Sequence, residues 1–377
     1  MISSSGPALN EGQVRQIQGS KRKHDLVYLV GLGAKNRDVD SHKEGHDLAR
    51  EAVRTGISTA VRALKDRGIE QVLVDDCGDA EAAAEGAHLA LWSYDHLKAK
   101  KDTLKNLEIQ PFSEGSAEWN SGSVKAKGQN LARTLMETPA NHLTPEKFAV
   151  KAKEVLESAG VEVIPRDLNW IKDQQMGSFM SVSQGSAENP VFLELSINNG
   201  NPDEAPIVYV GKGVTFDTGG ISLKPPKDMD KMRGDMGGAA TVTGAMYTAA
   251  NLKLPVNFKV LIPLCENMPG SRATKPGDVF TAKNGKTIQV DNTDAEGRLI
   301  LADALTYADT FKPKLVLDVA TLTGAMAVAI GGAASGVYST TDANWDLIRK
   351  ASFNTGDRVW RMPLWNFYTQ QMKSMSF

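Results

Sequence analysis

The chain has 377 residues, 41% hydrophobic and 23% charged, and its 43 basic and 45 acidic side chains leave a net charge of −2. This mixture excludes wholesale disorder and collagen-like repeats, and it offers no positive excess for nucleic acid or an acidic membrane. The two cysteines, Cys77 and Cys265, cannot build a disulfide framework, which suits a reducing, cytoplasmic compartment.

Met1 to Asp25 is polar and lacks the apolar core of a secretory signal. Asp25 to Gly31 is a short apolar run that reads as a buried strand. A helix is expected over Asp47–Lys65, with Val53, Ile57, Ala60, Val61 and Leu64 on one face and Gly68 as its stop. Gln71–Val74 reads as a strand and Ala80–Leu97 as a helix, an order that suggests a small α/β domain with parallel strands. A further helix, roughly Ala117–Glu137, reads as an interdomain connection. Thr144 and Pro145 then open a helix as cap and first-turn residue, with Phe148, Ala152, Val155, Leu156 and Ala159 inward.

The remainder reads as a larger α/β unit. Strands are expected at Val191–Ile197, Ile207–Val210, Phe258–Leu264, Thr287–Val290 and Leu315–Ala320, and helices at Ala239–Ala250, Leu299–Phe311 and Trp345–Ser352. The division is 1–115 for a small N-terminal α/β domain, 116–137 for the connecting helix and 138–377 for the larger α/β domain, a central mixed sheet flanked by helices. Ala320–Val337 is rich in Gly, Ala and Thr, and reads as buried strand, turn and helix, not a membrane span. All six histidines lie at or before His142, so no Ser-His-Asp triad or H-E-x-x-H zinc site can be built beyond it.

Three clusters in the larger unit lie where open α/β sheets place their sites, beyond strand ends. Val210 to Lys224 puts Lys212 and Asp217 in a glycine-rich loop that does not match a P-loop. Met232-Arg-Gly-Asp-Met-Gly-Gly238 leads into a helix. Asp291-Asn-Thr-Asp-Ala-Glu-Gly-Arg-Leu299 joins a strand to a helix. If strand geometry persists past Val290, Asp294 and Glu296 point to one side. Paired carboxylates raise each other's pKa, and a divalent cation removes that conflict; oxygen donors without His or Cys favour the harder ions. Arg298 would stand nearby as a fixed positive charge. Taken singly, Asp217 and Asp235 read as turn formers or caps, Lys212 and Lys224 as solvated lysines, and Met229, Met232, Met236 and Cys265 as packing.

Asn292-Thr-Asp-Ala-Glu-Gly-Arg-Leu299 resembles the signature octapeptide of the leucine aminopeptidase (cytosol aminopeptidase) family. Val210 to Gly220 and Met232 to Ala240 resemble its other metal-binding stretches, in the same order and spacing. Glu137-Thr-Pro-Ala-Asn141, Leu264 to Pro269, Lys275-Pro-Gly-Asp278 and Ala320-Thr-Leu-Thr-Gly324 are similar too. The resemblance covers most of Gly128–Pro363, more weakly Val27–Lys101, and points to the eukaryotic cytosolic branch. It implies a two-metal aminopeptidase, leucine preferred, with Lys212, Asp217, Asp235, Asp294 and Glu296 as ligands of two divalent ions (Zn, Mn or Mg). It further implies that Asp217 and Glu296 bridge both ions and that Lys224 polarises the scissile carbonyl. Arg298 would hold a bicarbonate ion as general base, and Met232, Asn292, Thr321, Leu322 and Gly324 would line the substrate cleft. The implied partners are peptides with a free N-terminus, which one ion would bind, and further copies of the chain in a hexamer.

Gly234 stands where many members carry Ala. Family members continue beyond Phe377, the tail Lys373–Phe377 does not resemble them, and the beginning is short. The expectation is therefore a bare sheet edge and a chain less stable and less active than an extended form. The rival readings are a catalytically impaired homologue that assembles or binds peptides, and a two-metal phosphatase or nuclease.

Overall fold

The computed structural model describes residues 6–18, 26–34, 44–65, 67–99 and 106–371. The tail Lys373–Phe377 lies outside them. The chain divides into two units: Met1–Leu91, Asp102–Gly122 and Thr323–Phe377 form one, and Trp92–Lys101 with Ser123–Leu322 the other.

In the first unit, β1 (Val14–Gln18) pairs antiparallel with β2 (Leu26–Val30). The sequence reading missed β1, whose polar residues hide the strand pattern. Helix α1 (Leu48–Arg62) starts at Asp47, whose carboxylate accepts the Ala49 and Arg50 amides at 3.0 and 3.1 Å. Val53, Ile57 and Val61 bury its predicted face. Strand β3 (Gln71–Val74), helix α2 (Ala80–Ala90) and strand β4 (Glu108–Pro111) follow; β3 is parallel to β4, a strand the sequence reading did not include, and not to β2, which pairs with β1. Helix α2 is shorter than its prediction because Ser93, Tyr94, Asp95 and His96 are weak helix formers. Helix α3 (Ala117–Glu137) matches its predicted range, with its start in the first unit and the rest in the second.

The second unit opens with α4 (Pro145–Leu156). Thr144 occupies the cap position, but its hydroxyl makes no capping bond. Next come β5 (Glu162–Arg166), α5 (Leu168–Asp173), α6 (Gly177–Ser183), β6 (Val191–Asn198), β7 (Ile207–Gly211) and β8 (Gly213–Asp217). They are followed by α7 (Gly237–Asn251), β9 (Asn257–Asn267), β10 (Val279–Thr281), β11 (Thr287–Gln289), α8 (Glu296–Ala308) and β12 (Leu315–Val319). The central sheet runs β12-β7-β9-β6-β5, with β8 also paired to β9. Strands β12, β7, β8 and β9 are parallel, and β6 is antiparallel to both of its neighbours, β9 and β5, so the sheet is mixed.

Alternate strand residues enter two cores. Leu193, Leu195, Val260 and Ile262 pack with Phe148 of α4 and Val242 of α7. Phe192, Val208, Val210 and Leu261 pack on the other face with Phe179 of α6 and Ile300 of α8. This covering on both faces is why the strands read as continuous apolar runs.

Three expectations need correction here. Residues Gly213–Asp217, read as loop, form β8. The predicted strand at Thr287–Val290 is the second arm of the β10–β11 hairpin and not part of the central sheet. Strand geometry also ends before Asp294: Thr293–Ala295 is a 3₁₀ turn, and Glu296 is the first residue of α8.

Asp303 of α8 ties this unit together. It is fully buried, and its carboxylate accepts the Phe179 and Lys283 amides, each at 2.8 Å. Burial pushes its pKa up, although both amides favour the charged form. Asp303→Ala would leave two buried donors unpaired, and we expect a loss of about 3 kcal/mol. A lower urea midpoint at unchanged m-value would show it; an unchanged midpoint would refute it.

The first unit is completed by α9 (Gly324–Ile330), β13 (Ser335–Val337), α10 (Asp342–Thr355), β14 (Val359–Arg361) and α11 (Asn366–Gln371). Strands β13 and β14 are parallel. Arg358 fastens this segment to the start of the chain: its Nε donates to the Glu44 carbonyl and its Nη2 to the Glu44 carboxylate, both at 2.7 Å. The stretch expected to be a buried strand, turn and helix carries an exposed α9, with Val328 89% exposed. No helix among the described residues is long and apolar enough to cross a membrane.

Candidate functional site

Three chain segments converge at the ends of the parallel strands. Lys212 sits at the junction of β7 and β8, with its backbone N–H donating to the Val319 carbonyl of β12 and its carbonyl accepting the Ala239 amide of α7. Its side chain is buried. The ammonium lies 2.8 Å from Asp235 Oδ1 and 2.7 Å from Glu296 Oε1, and donates to the Thr321 carbonyl at 3.0 Å. Asp235 ends the 3₁₀ turn at Met229–Gly234, ahead of α7, and its Oδ1 also accepts the Thr321 hydroxyl at 2.8 Å.

Asp217 closes β8. Its Oδ1 accepts the Gly219 amide and the Asn267 side-chain amide, both at 2.8 Å, and its Oδ2 lies 2.8 Å from the Lys224 ammonium. Lys224 also pairs with Asp294. The tight turn that brings Lys224 back requires Gly219 at φ +88°, where a Cβ would meet the Ser222 carbonyl at 2.4 Å. Gly297 is needed for a different reason: a Cβ there would press on the Lys212 stem at 3.0 Å.

Asp217, Asp294 and Glu296 each offer an oxygen within 4.8 Å of the others. Asp235 lies outside that trio and joins it through Lys212. Four carboxylates thus face two ammonium groups, leaving an excess of negative charge in a largely buried place. Burial first, and then neighbouring carboxylates, push Asp235 and Glu296 toward the protonated form. Burial opposes the Lys212 and Lys224 charges too, but their acidic partners outweigh it and raise both pKa values.

Asp235 Oδ2 and Glu296 Oε2 are buried without a hydrogen-bond partner. Asp294 Oδ1 also lacks a well-aligned hydrogen bond and has only ionic contact with Lys224. Such atoms are costly to bury unless something positive reaches them. An all-oxygen carboxylate set with orphaned lone pairs fits hard divalent cations.

The remaining predicted residues are placed unevenly. Met232 is half-buried in the turn before Asp235. Asn292 is exposed and caps the next turn by accepting the Asp294 amide at 2.9 Å. Leu322 lies near Gly297, and a Cβ at that glycine would meet its Cδ1 at 2.9 Å. Gly324 begins α9 and belongs to the other unit. Arg298 lies in the first turn of α8 but is exposed, and among the described residues it has neither an ion pair nor a hydrogen bond.

Two residues the sequence reading gave no role hold the site together. Asn267, at the end of β9, donates to Asp217 and to the Thr293 carbonyl, at 2.8 and 3.0 Å. Thr293 donates to the Gly219 carbonyl at 2.6 Å and accepts the Ser222 amide at 2.8 Å. The available signal was an asparagine ending an otherwise apolar strand.

Residues 130–377 match the catalytic domain of the cytosol aminopeptidase family, and residues 3–101 match its N-terminal domain. The chain belongs to the cytosol aminopeptidase family. It is 52% identical to the cytosol aminopeptidases of Xenopus tropicalis and Homo sapiens, over 98% of this chain and 72% of theirs. The Dictyostelium discoideum cytosol aminopeptidase is 46% identical over 92% of this chain and 69% of its own length. Among solved structures, the bottromycin maturation enzyme BotP in complex with Mn superposes with a TM-score of 0.85 at 32% identity, covering 97% of this chain and 79% of that one. The cytosol aminopeptidases are metallo-peptidases, and the acidic cluster falls in the catalytic-domain match.

Proposed function

We propose that this chain is a metal-dependent aminopeptidase that removes N-terminal residues, preferably leucine, from peptides. The observation that carries this is the convergence of Lys212, Asp217, Lys224, Asp235, Asp294 and Glu296 on one site in a member of this family. Lys212, Asp217, Asp235, Asp294 and Glu296 would hold two divalent ions, which when bound supply Lewis-acid chemistry. Lys212 can ligate only as the neutral amine, so Nζ must release its proton on loading.

Lys224 is held charged by Asp217 and Asp294, and it offers that charge to the oxyanion that develops at the scissile carbonyl. Met232, Asn292, Thr321 and Leu322 would line the substrate cleft. Arg298, free of protein partners among the described residues, suits a bound bicarbonate that acts as general base in a region without histidine. Assembly as a hexamer in the cytoplasm belongs to the same proposal, and light scattering checks the oligomer. The complete charged set gives no support to a non-catalytic rival.

The test is leucine release from a leucyl anilide with Mn or Zn, set beside hydrolysis of a phosphate ester. Metal-dependent release is expected; no release at full metal occupancy overturns the reading. Arg298→Ala should lower turnover about 10²-fold or more if the base is lost, in line with the usual worth of general-base catalysis. Its metal content should not change. Added bicarbonate should stimulate the unaltered chain and not the variant, and equal stimulation would refute the role.

A further inference from the structure

A cleft of about 540 Å³ in the second unit shares no lining residue with the acidic cluster. Its volume lies within the range of small-ligand sites. One wall is a single face of α4, carrying Glu146, Val150 and Lys153 at helical spacing. The facing wall is the corner from β5 into α5, which carries Arg166 and Leu168, and the stretch leading into β6 closes the cleft.

Charges on the second wall are already engaged. Arg166 Nε donates to Glu194 at 2.8 Å, and its guanidinium lies 5.1 Å from the Trp170 ring centroid. Asp167 caps α5 by accepting the Trp170 amide at 2.9 Å. Charges on the helix wall are not. Glu146 has no hydrogen bond or ion pair among the described residues, and Lys153 makes only a loose 3.7 Å approach to Glu157.

These two opposite charges stand seven residues apart on one helix, a separation of about 10 Å along its axis. An extended peptide advances about 3.3–3.6 Å per residue, so a chain of roughly three residues spans that distance. Val150 lies between the charges on the same helix face, and Leu168 adds apolar surface to the cleft lining. Addition of a strand to the β5 edge is a poorer use of the surface, because Pro165 supplies no backbone donor there.

We infer that this cleft is a second, non-catalytic site for short peptides with free termini, with the peptide ammonium at Glu146 and its carboxylate at Lys153. The inference rests on charge placement and goes beyond the proposed aminopeptidase reading.

The probe is a Leu-Val-Leu analogue with a non-scissile hydroxyethylene in place of the first peptide bond and a diazirine on the middle residue. Irradiation with the metal-loaded protein should label 145–156 and 165–169. Partly exposed ion pairs are worth little, so Glu146→Gln and Lys153→Gln should each weaken cleft labelling roughly two- to fivefold, and together roughly tenfold. An N-acetyl, C-amide analogue should label the cleft as weakly as the double variant does. Leucyl-anilide turnover should be unchanged in both variants. Absence of cleft labelling, or labelling indifferent to both the variants and the capped probe, overturns the inference. A chain inactive on the anilide that still labels in the cleft counts against the aminopeptidase reading and supports this one.

Discussion

Asp294→Asn is expected to remove stoichiometric divalent metal and with it the leucyl-anilide activity. The substitution keeps size and shape and withdraws one negative charge from the carboxylate trio with Asp217 and Glu296. Asp294 is suited to this test because its side chain is one-third exposed (33%), so the fold should tolerate the change. Its backbone amide still donates to Asn292, and the turn ahead of α8 keeps its shape. Loss of an outer partner alone typically costs 10–100-fold in metal affinity, so removal of a proposed direct donor should cost more. Elemental analysis after dialysis, beside a thermal melt of the same sample, separates loss of metal from loss of fold. Two ions still bound per chain in a folded variant would sink the ligand assignment.

How much of this was legible beforehand depends on the physical signal each part carries. The doubly covered strands announced themselves as apolar runs, and β6, β7, β9 and β12 begin within a residue of their predicted starts. Strand β8 did not, because Gly213-Val-Thr-Phe-Asp217 follows a glycine and a lysine and reads as the start of a loop. Strand β1 and the β13–β14 pair are short and polar or glycine-containing, so no period-two pattern marks them. The site residues were legible only as clusters in sequence. That Lys212 reaches both Asp235 and Glu296 depends on the β7–β8 junction, the α7 start and the α8 start meeting, which no local pattern encodes. Strand alternation is not what puts Asp294 beside Glu296, because no strand runs through them. The two approach each other because a 3₁₀ turn feeds directly into α8.

The largest stability effect should come from Lys212→Met, studied in the presence of a chelator. In that state the Lys212 ammonium is the buried cation shared by Asp235 and Glu296, at 2.8 and 2.7 Å. Methionine fills the space of the stem, so packing against Gly297 is largely kept, and the change reads charge more than volume. Without the ammonium, two buried carboxyls face one another with further unpartnered oxygens, and they must protonate or draw in water. Removing one partner of a buried ionic pair typically costs about 3–5 kcal/mol, a large share of the roughly 5–15 kcal/mol by which ordinary proteins are stable. The urea midpoint of the chelated variant should fall accordingly. Saturating Mn should narrow the gap, since a divalent ion held by Asp217, Asp294 and Glu296 returns positive charge to Glu296, one of the two carboxylates that lost it. Equal midpoints with chelator would mean that water already screens this cluster, and the reading of Lys212 as its buried counter-charge would have to be abandoned.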